Sequence, residues 1–106
     1  MVYNWSMADI DIRELLWDTV NESYIWERHQ LTKDLVEEAC YGDSQHIKVV
    51  STYNNRYLVI APLQNKRLLA IVLAPQSGGR HYPVSARIAS KKERREYREW
   101  KAERES

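Results

Sequence analysis

The chain holds a single cysteine, Cys40, among its 106 residues. No disulfide can close within it, and no cysteine cluster can hold zinc. Its three histidines, His29, His46 and His81, show no metal-ligand spacing, and no cofactor motif is present. No stretch approaches the ~20 apolar residues that span a bilayer, so no membrane partner is expected. The segment from Met1 to Ile10 has no apolar run and does not read as a secretory signal. It reads as a flexible leader ahead of one domain over residues 11–106. With neither disulfides nor targeting segments, the cytoplasm is the simplest compartment. Internal repeats and low-complexity tracts are also lacking, which excludes a solenoid.

What is present is the composition of an ordinary folded domain, 43% hydrophobic and 29% charged. Apolar runs recur through the middle, which argues against disorder, and the length suits one core. The net charge is only +1, but it is unevenly spread. Residues 1–46 carry 3 basic and 10 acidic side chains, residues 47–79 carry 4 basic and none acidic, and residues 80–106 carry 9 and 5. Such asymmetry points to one positive and one negative face. The positive one is either a footprint for a polyanion or a solvated helix of mixed charge.

Ile12, Leu15, Leu16 and Trp17 form an apolar cluster that periodicity assigns equally to a strand or a helical turn. Asp18 reads as the N-cap of a helix through about His29, with Val20, Tyr24 and Ile25 as its buried stripe. Thr32 reads as the next N-cap, with Asp34 in the first turn. Leu35, Val36, Ala39 and Cys40 share one face, and Gly42 is the stop.

The middle is strand-like: Ile47–Tyr53, Arg56–Leu63, Arg67–Ala74 and Arg80–Arg87, with turns at Asn54-Asn55 and Gln64-Asn65. The nearly continuous apolar run in the third predicts a central strand. In the fourth, Tyr82, Val84 and Ala86 alternate against His81, Ser85 and Arg87, and Pro83 predicts an edge or a bulge. Ser90-Lys91-Lys92-Glu93 is a capping box opening a helix to about Ala102, docked by Tyr97 and Trp100. The fold class is therefore α+β: N-terminal helices, an antiparallel sheet of about four strands, and a C-terminal helix.

Two ordered stretches carry a resemblance. The first is Trp17-Asp18, Asn21, Tyr24-Ile25, Arg28-His29, Leu31-Thr32 and Val36-Glu37-Glu38, ending in Gly42-Asp43. The second is Arg56-Tyr57-Leu58, Arg67-Leu68, Tyr82 to Arg87, and Glu93-Arg94-Arg95-Glu96-Tyr97. In this order, over about residues 12–100, they resemble the BrnT-type toxins. The most specific element is the Ser-Ala-Arg … Glu-Arg-x-x-Tyr ending. Where that family commonly has Gly after the motif His this chain has Gln30, and where it often has Gly before the Arg of the central strand this chain has Lys66. The resemblance implies a RelE-like fold and a metal-independent endoribonuclease that inhibits translation. It also implies a cognate antitoxin with a ribbon-helix-helix DNA-binding part, in a toxin–antitoxin hetero-oligomer; a homo-oligomer is the other assembly it leaves open.

Cleavage of RNA without a metal needs a base for the ribose 2′-hydroxyl, positive charge at the phosphorane and a proton donor for the leaving oxygen. Arg87 is the first candidate for the charge, since it ends a strand and directly precedes the capped helix. Arg67 opens the central strand on the family pattern, and Arg80 opens the last strand; either shares a phosphate with Arg87 or is a strand-end solubilising charge. His29 is the candidate acid or base, or else a helix-terminal cap. Tyr97 donates to phosphate or docks its helix. Lys91, Lys92, Arg94, Arg95 and Arg98 form a basic rim for an RNA backbone, an acidic antitoxin segment or solvent. A non-catalytic interaction module of the same fold, and an RNA-binding protein that does not cleave, are the competing readings.

Overall fold

A computed structural model describes Ala8 and residues 10–105 of the chain. Most of the leader reading falls on residues 1–7 and 9, outside the described residues. Ala8 and Ile10 pack against the core, and the Ala8 N–H donates to the Val49 carbonyl at 3.0 Å.

The architecture is α+β: two helices, a five-stranded, mostly antiparallel sheet, and a last helix. The ambiguous cluster before Asp18 is a strand, β1 (Glu14–Leu15), followed by α1 (Thr19–His29) and α2 (Lys33–Cys40). Strands β2 (Lys48–Thr52), β3 (Arg56–Pro62), β4 (Leu68–Pro75) and β5 (Arg80–Ile88) follow, and then α3 (Lys91–Glu105). The strand order is β1-β5-β4-β3-β2, with β1 running parallel to β5 and every other pair antiparallel. The apolar run of β4 thus takes the central place. Asn54 and Asn55 in the β2–β3 turn, Lys66 in the β3–β4 turn, and Gly78 and Gly79 between β4 and β5 all have positive φ.

The cap of α1 explains an unusual buried residue. Asp18 accepts from the Asn21 N–H, and the Asn21 side chain accepts from the Asp18 N–H, both at 2.9 Å. The amide nitrogen of Asn21 then donates to the Leu16 and Pro83 carbonyls at 3.0 Å each. Every polar atom of this buried side chain has a partner, so its burial ties α1 to β5. The buried stripe expected at Val20, Tyr24 and Ile25 is corrected accordingly. Asn21 and Ile25 face the sheet, while Val20 is 71% exposed and Tyr24 is exposed as well.

A second correction concerns β5. Val72 pairs with Ser85 but Leu73 pairs with Pro83, so Val84 is an extra residue and the ladder bulges. His81 and Pro83 are buried before the bulge and Ala86 after it. Tyr82 and Val84 therefore do not share the inner face with Ala86. Pro83 is not at an edge: β1 flanks β5, but pairs only with Arg80 and His81.

The two sides of the sheet are unequal. Helices α1 and α2 cover one side over a large cluster that includes Ile25, Leu31, Val36, Ala39, Val59, Leu69, Ile71 and Leu73. Cys40 lies in it, and burial pushes its thiol up to about 12. Helix α3 covers part of the other side over Ile60, Ala70 and Ala89, with Tyr97 buried and Trp100 packed beside it.

Candidate functional site

Arg87 stands opposite Ala70 near the end of β5, on the α3 side. Two residues later the chain turns at Ala89-Ser90 into α3, where Ser90 Oγ accepts from the Glu93 N–H and Glu93 Oε1 accepts from the Ser90 N–H. This capping box brings the Glu93 carboxylate back over the strand. Arg87 Nη1 and Nη2 donate to its two oxygens at 2.6 and 2.8 Å. The paired guanidinium holds the Glu93 carboxyl below its ordinary range, and the carboxylate raises Arg87 in turn. The clamp uses two of the five guanidinium N–H donors, so three can meet a phosphate oxygen. Glu93, kept ionised, is a weak base.

Several other expected residues gather at this end of the sheet. The Ala89 N–H donates to the Leu68 carbonyl at 2.9 Å, which sets Arg67 beside the turn into α3. Arg67 is exposed, and its guanidinium has no hydrogen-bond or ion-pair partner among the described residues. Lys91 and Lys92 open α3 and are exposed. Arg94 Nη1 is committed to the Ala89 carbonyl at 2.8 Å, while Arg95 is exposed one residue further. Together with the positive helix terminus they make a local concentration of positive charge. Tyr97 is on the same side, but its hydroxyl donates to the His46 carbonyl at 2.6 Å. Burial raises its pKa.

Two candidates lie elsewhere. His29 ends α1 on the opposite side of the sheet and packs edge-on against Tyr24. It shares no pocket with Arg87. Arg80 is at the other end of β5, roughly 20 Å from Arg87 at the usual strand rise. Its guanidinium donates to Ser77 O and Ser77 Oγ, both at 3.0 Å. One phosphate cannot bridge Arg80 and Arg87. The histidine that does reach α3 is His46, whose Nδ1 lies 2.9 Å from Lys101 Nζ. Nothing in its local sequence marks it; only the path of α3 across the sheet brings it there.

The α3 side also carries a cleft of about 640 Å³, floored by Val50, Leu58, Ile60 and Trp100. Its walls hold Lys48 and Lys92 but also Glu93, Glu96, Glu99 and Glu103. Of the basic residues singled out from the sequence, Lys92 alone lines it. Helix α3 is thus two-sided, with most of its cations turned away from the cleft.

The chain matches no family model and no curated protein sequence. Among the described residues no group of three His, Cys, Asp or Glu side chains is placed to hold a metal ion, and no helix is long and apolar enough to cross a membrane. The guanidinium and ammonium groups gathered at this end can bind an anion and stabilise developing negative charge.

Proposed function

We propose that this chain is the toxin component of a type II toxin–antitoxin pair, a metal-independent ribonuclease that inhibits translation until an antitoxin with a ribbon-helix-helix part binds it. The observation that carries the reading is the backbone at its two departures from the BrnT-type pattern. Gln30 has φ 54° and Lys66 has φ 72°. Both positions where the pattern has Gly are left-handed here, the conformation that glycine adopts without cost. The agreement supports a shared backbone at these two positions, a helix C-cap and a hairpin turn. The Asn21 bonds to Asp18 and Pro83, and the Arg87–Glu93 clamp, each join residues of the two matching stretches and support it further.

In this reading Arg87 stabilises the phosphorane, with Arg67 and the first turn of α3 holding the flanking phosphates. His29 has no part in the step. The test is RNA degradation by the purified chain in excess EDTA. Arg87→Ala should lower the rate by at least about a hundredfold, the scale for losing one charge-stabilising donor, while Arg80→Ala leaves it unchanged. Unimpaired cleavage by Arg87→Ala would remove the assignment.

One observation favours the second reading, a non-catalytic interaction module of this fold. Glu93 already holds two of the Arg87 donors, and the Tyr97 hydroxyl is committed to the His46 carbonyl. Expression without its partner separates the two: growth arrest supports the toxin, normal growth the module.

A further inference from the structure

The cleft beside α3 sets four carboxylates against two cations, Lys48 and Lys92, around an apolar floor. Val50 and Leu58 are cross-strand partners on its floor, with Ile60 and Trp100 beside them. Glu96, Glu99 and Glu103 recur at i, i+3 and i+7 along α3, so they form one acidic wall over that floor. Neither Glu96 nor Glu99 has an ion-pair partner among the described residues. A polyanion is repelled by such a wall, whereas a cationic segment is attracted by it. An apolar floor with a charged rim is the pattern of a groove that takes an amphipathic helix.

We propose that this trough docks an amphipathic segment of a partner protein, with apolar residues on one side and Lys or Arg flanking them. From Glu93 to Glu103 the wall is about 15 Å long, which matches about three helical turns of the occupant. Residues 1–7 of the chain itself contain no Lys or Arg and lack the complementary charge. The inference does not rest on the ribonuclease reading: the trough adjoins the Arg87 end at Ser90, Lys92 and Glu93, but its Val50–Leu58 floor and Glu96–Glu103 wall lie beyond that end.

Two 14-residue helical peptides test it, sharing one Leu pattern and differing only in Lys or Glu flanks. Binding is followed by amide chemical shifts of the full chain at low salt. The Lys peptide should bind at least about tenfold more tightly than the Glu peptide, a difference of about 1.4 kcal/mol. Its shifts should centre on Val50, Leu58 and Trp100, and its affinity should fall with salt. The double variant Glu96→Lys/Glu99→Lys should reverse the preference. Should that variant not fold, the peptide comparison and salt dependence on the wild-type chain decide alone. Equal binding of the peptides, failure of both to bind, or shifts centred on the exposed Val20 and Tyr24 of α1 would each overturn the proposal.

Discussion

On one side of the sheet, Val59, Ala61, Leu69, Ile71 and Leu73 are buried beneath α1 and α2 in a single cluster. On the other, α3 buries Ile60, Ala70 and Ala89 and leaves Leu58 and Leu68 half-covered, with a charged cleft alongside. The same strands supply both sides, so the difference lies in what the helices bring. Helices α1 and α2 contribute Ile25, Val36, Ala39 and Cys40; α3 contributes mainly Tyr97 and Trp100. Stability is concentrated on the first side, and the groups that can meet a ligand stand on the second.

Side-chain truncation breaks this comparison most strongly. Ile71→Ala should cost about 3 kcal/mol, the range for a fully buried aliphatic. Leu58→Ala on the open side should cost less than about 1.5 kcal/mol, since little area leaves the core. Urea unfolding of the two variants measures this, and equal losses would erase the distinction.

Glu93→Ala comes next, at about 2 kcal/mol. It removes the capping box, worth about 1 kcal/mol, and the Arg87 clamp. The clamp is discounted to at most about 1 kcal/mol because the Arg87 side chain is 42% exposed. Its pH dependence follows from the lowered Glu93 pKa. The folded chain holds the carboxylate better than the unfolded one, whose ordinary value is 4.5. The stabilisation is complete above that pH and is lost as pH falls through the lower folded value. The gap between wild type and Glu93→Gln should therefore be constant from about pH 7 to about pH 5 and close in stronger acid. A gap that persists there would show that charge is not its source.

Tyr97→Phe should cost about 1 kcal/mol by deleting the hydroxyl bond to His46. Amide hydrogen exchange should quicken in α3 and stay unchanged in α1; acceleration in both would mean the two sides are not independent. Smallest is Lys66→Gly, which should raise stability by up to about 1 kcal/mol by relieving the left-handed residue. Gln30→Gly should gain less, because the Gln30 side chain donates to the Glu27 carbonyl at 3.0 Å.

Much of the frame was legible because it rests on local chemistry. The Asp18 and Thr32 caps, the Ser90–Glu93 box, the asparagine turn and the apolar β4 each follow from a few neighbouring residues. What depended on distant partners was not legible. The burial of Asn21 needs the Pro83 carbonyl, 62 residues away. Pro83 did signal the bulge, but which residues it turns inward depends on how β4 meets β5 and inverts the alternation that a strand pattern assumes. At the site, Arg87 and Arg67 come to one end because β5 and β4 are antiparallel neighbours. His29 is carried to the other side by α1, which no spacing in the sequence reveals. The acidic wall of α3 was hidden within a run of mixed charge, where only the direction of docking sorts Glu96 and Glu99 from Arg95 and Arg98.

In the proposed function one side of the sheet holds the fold together and the Arg87 end of the other side binds RNA. Chemical-shift mapping with a 2′-O-methyl RNA oligonucleotide, which cannot be cleaved, tests it most directly. The expected result is a set of shifts confined to Arg67, Arg87 and the first turn of α3. Shifts centred on His29 and the α1–α2 side, with Arg87 unmoved, would contradict it.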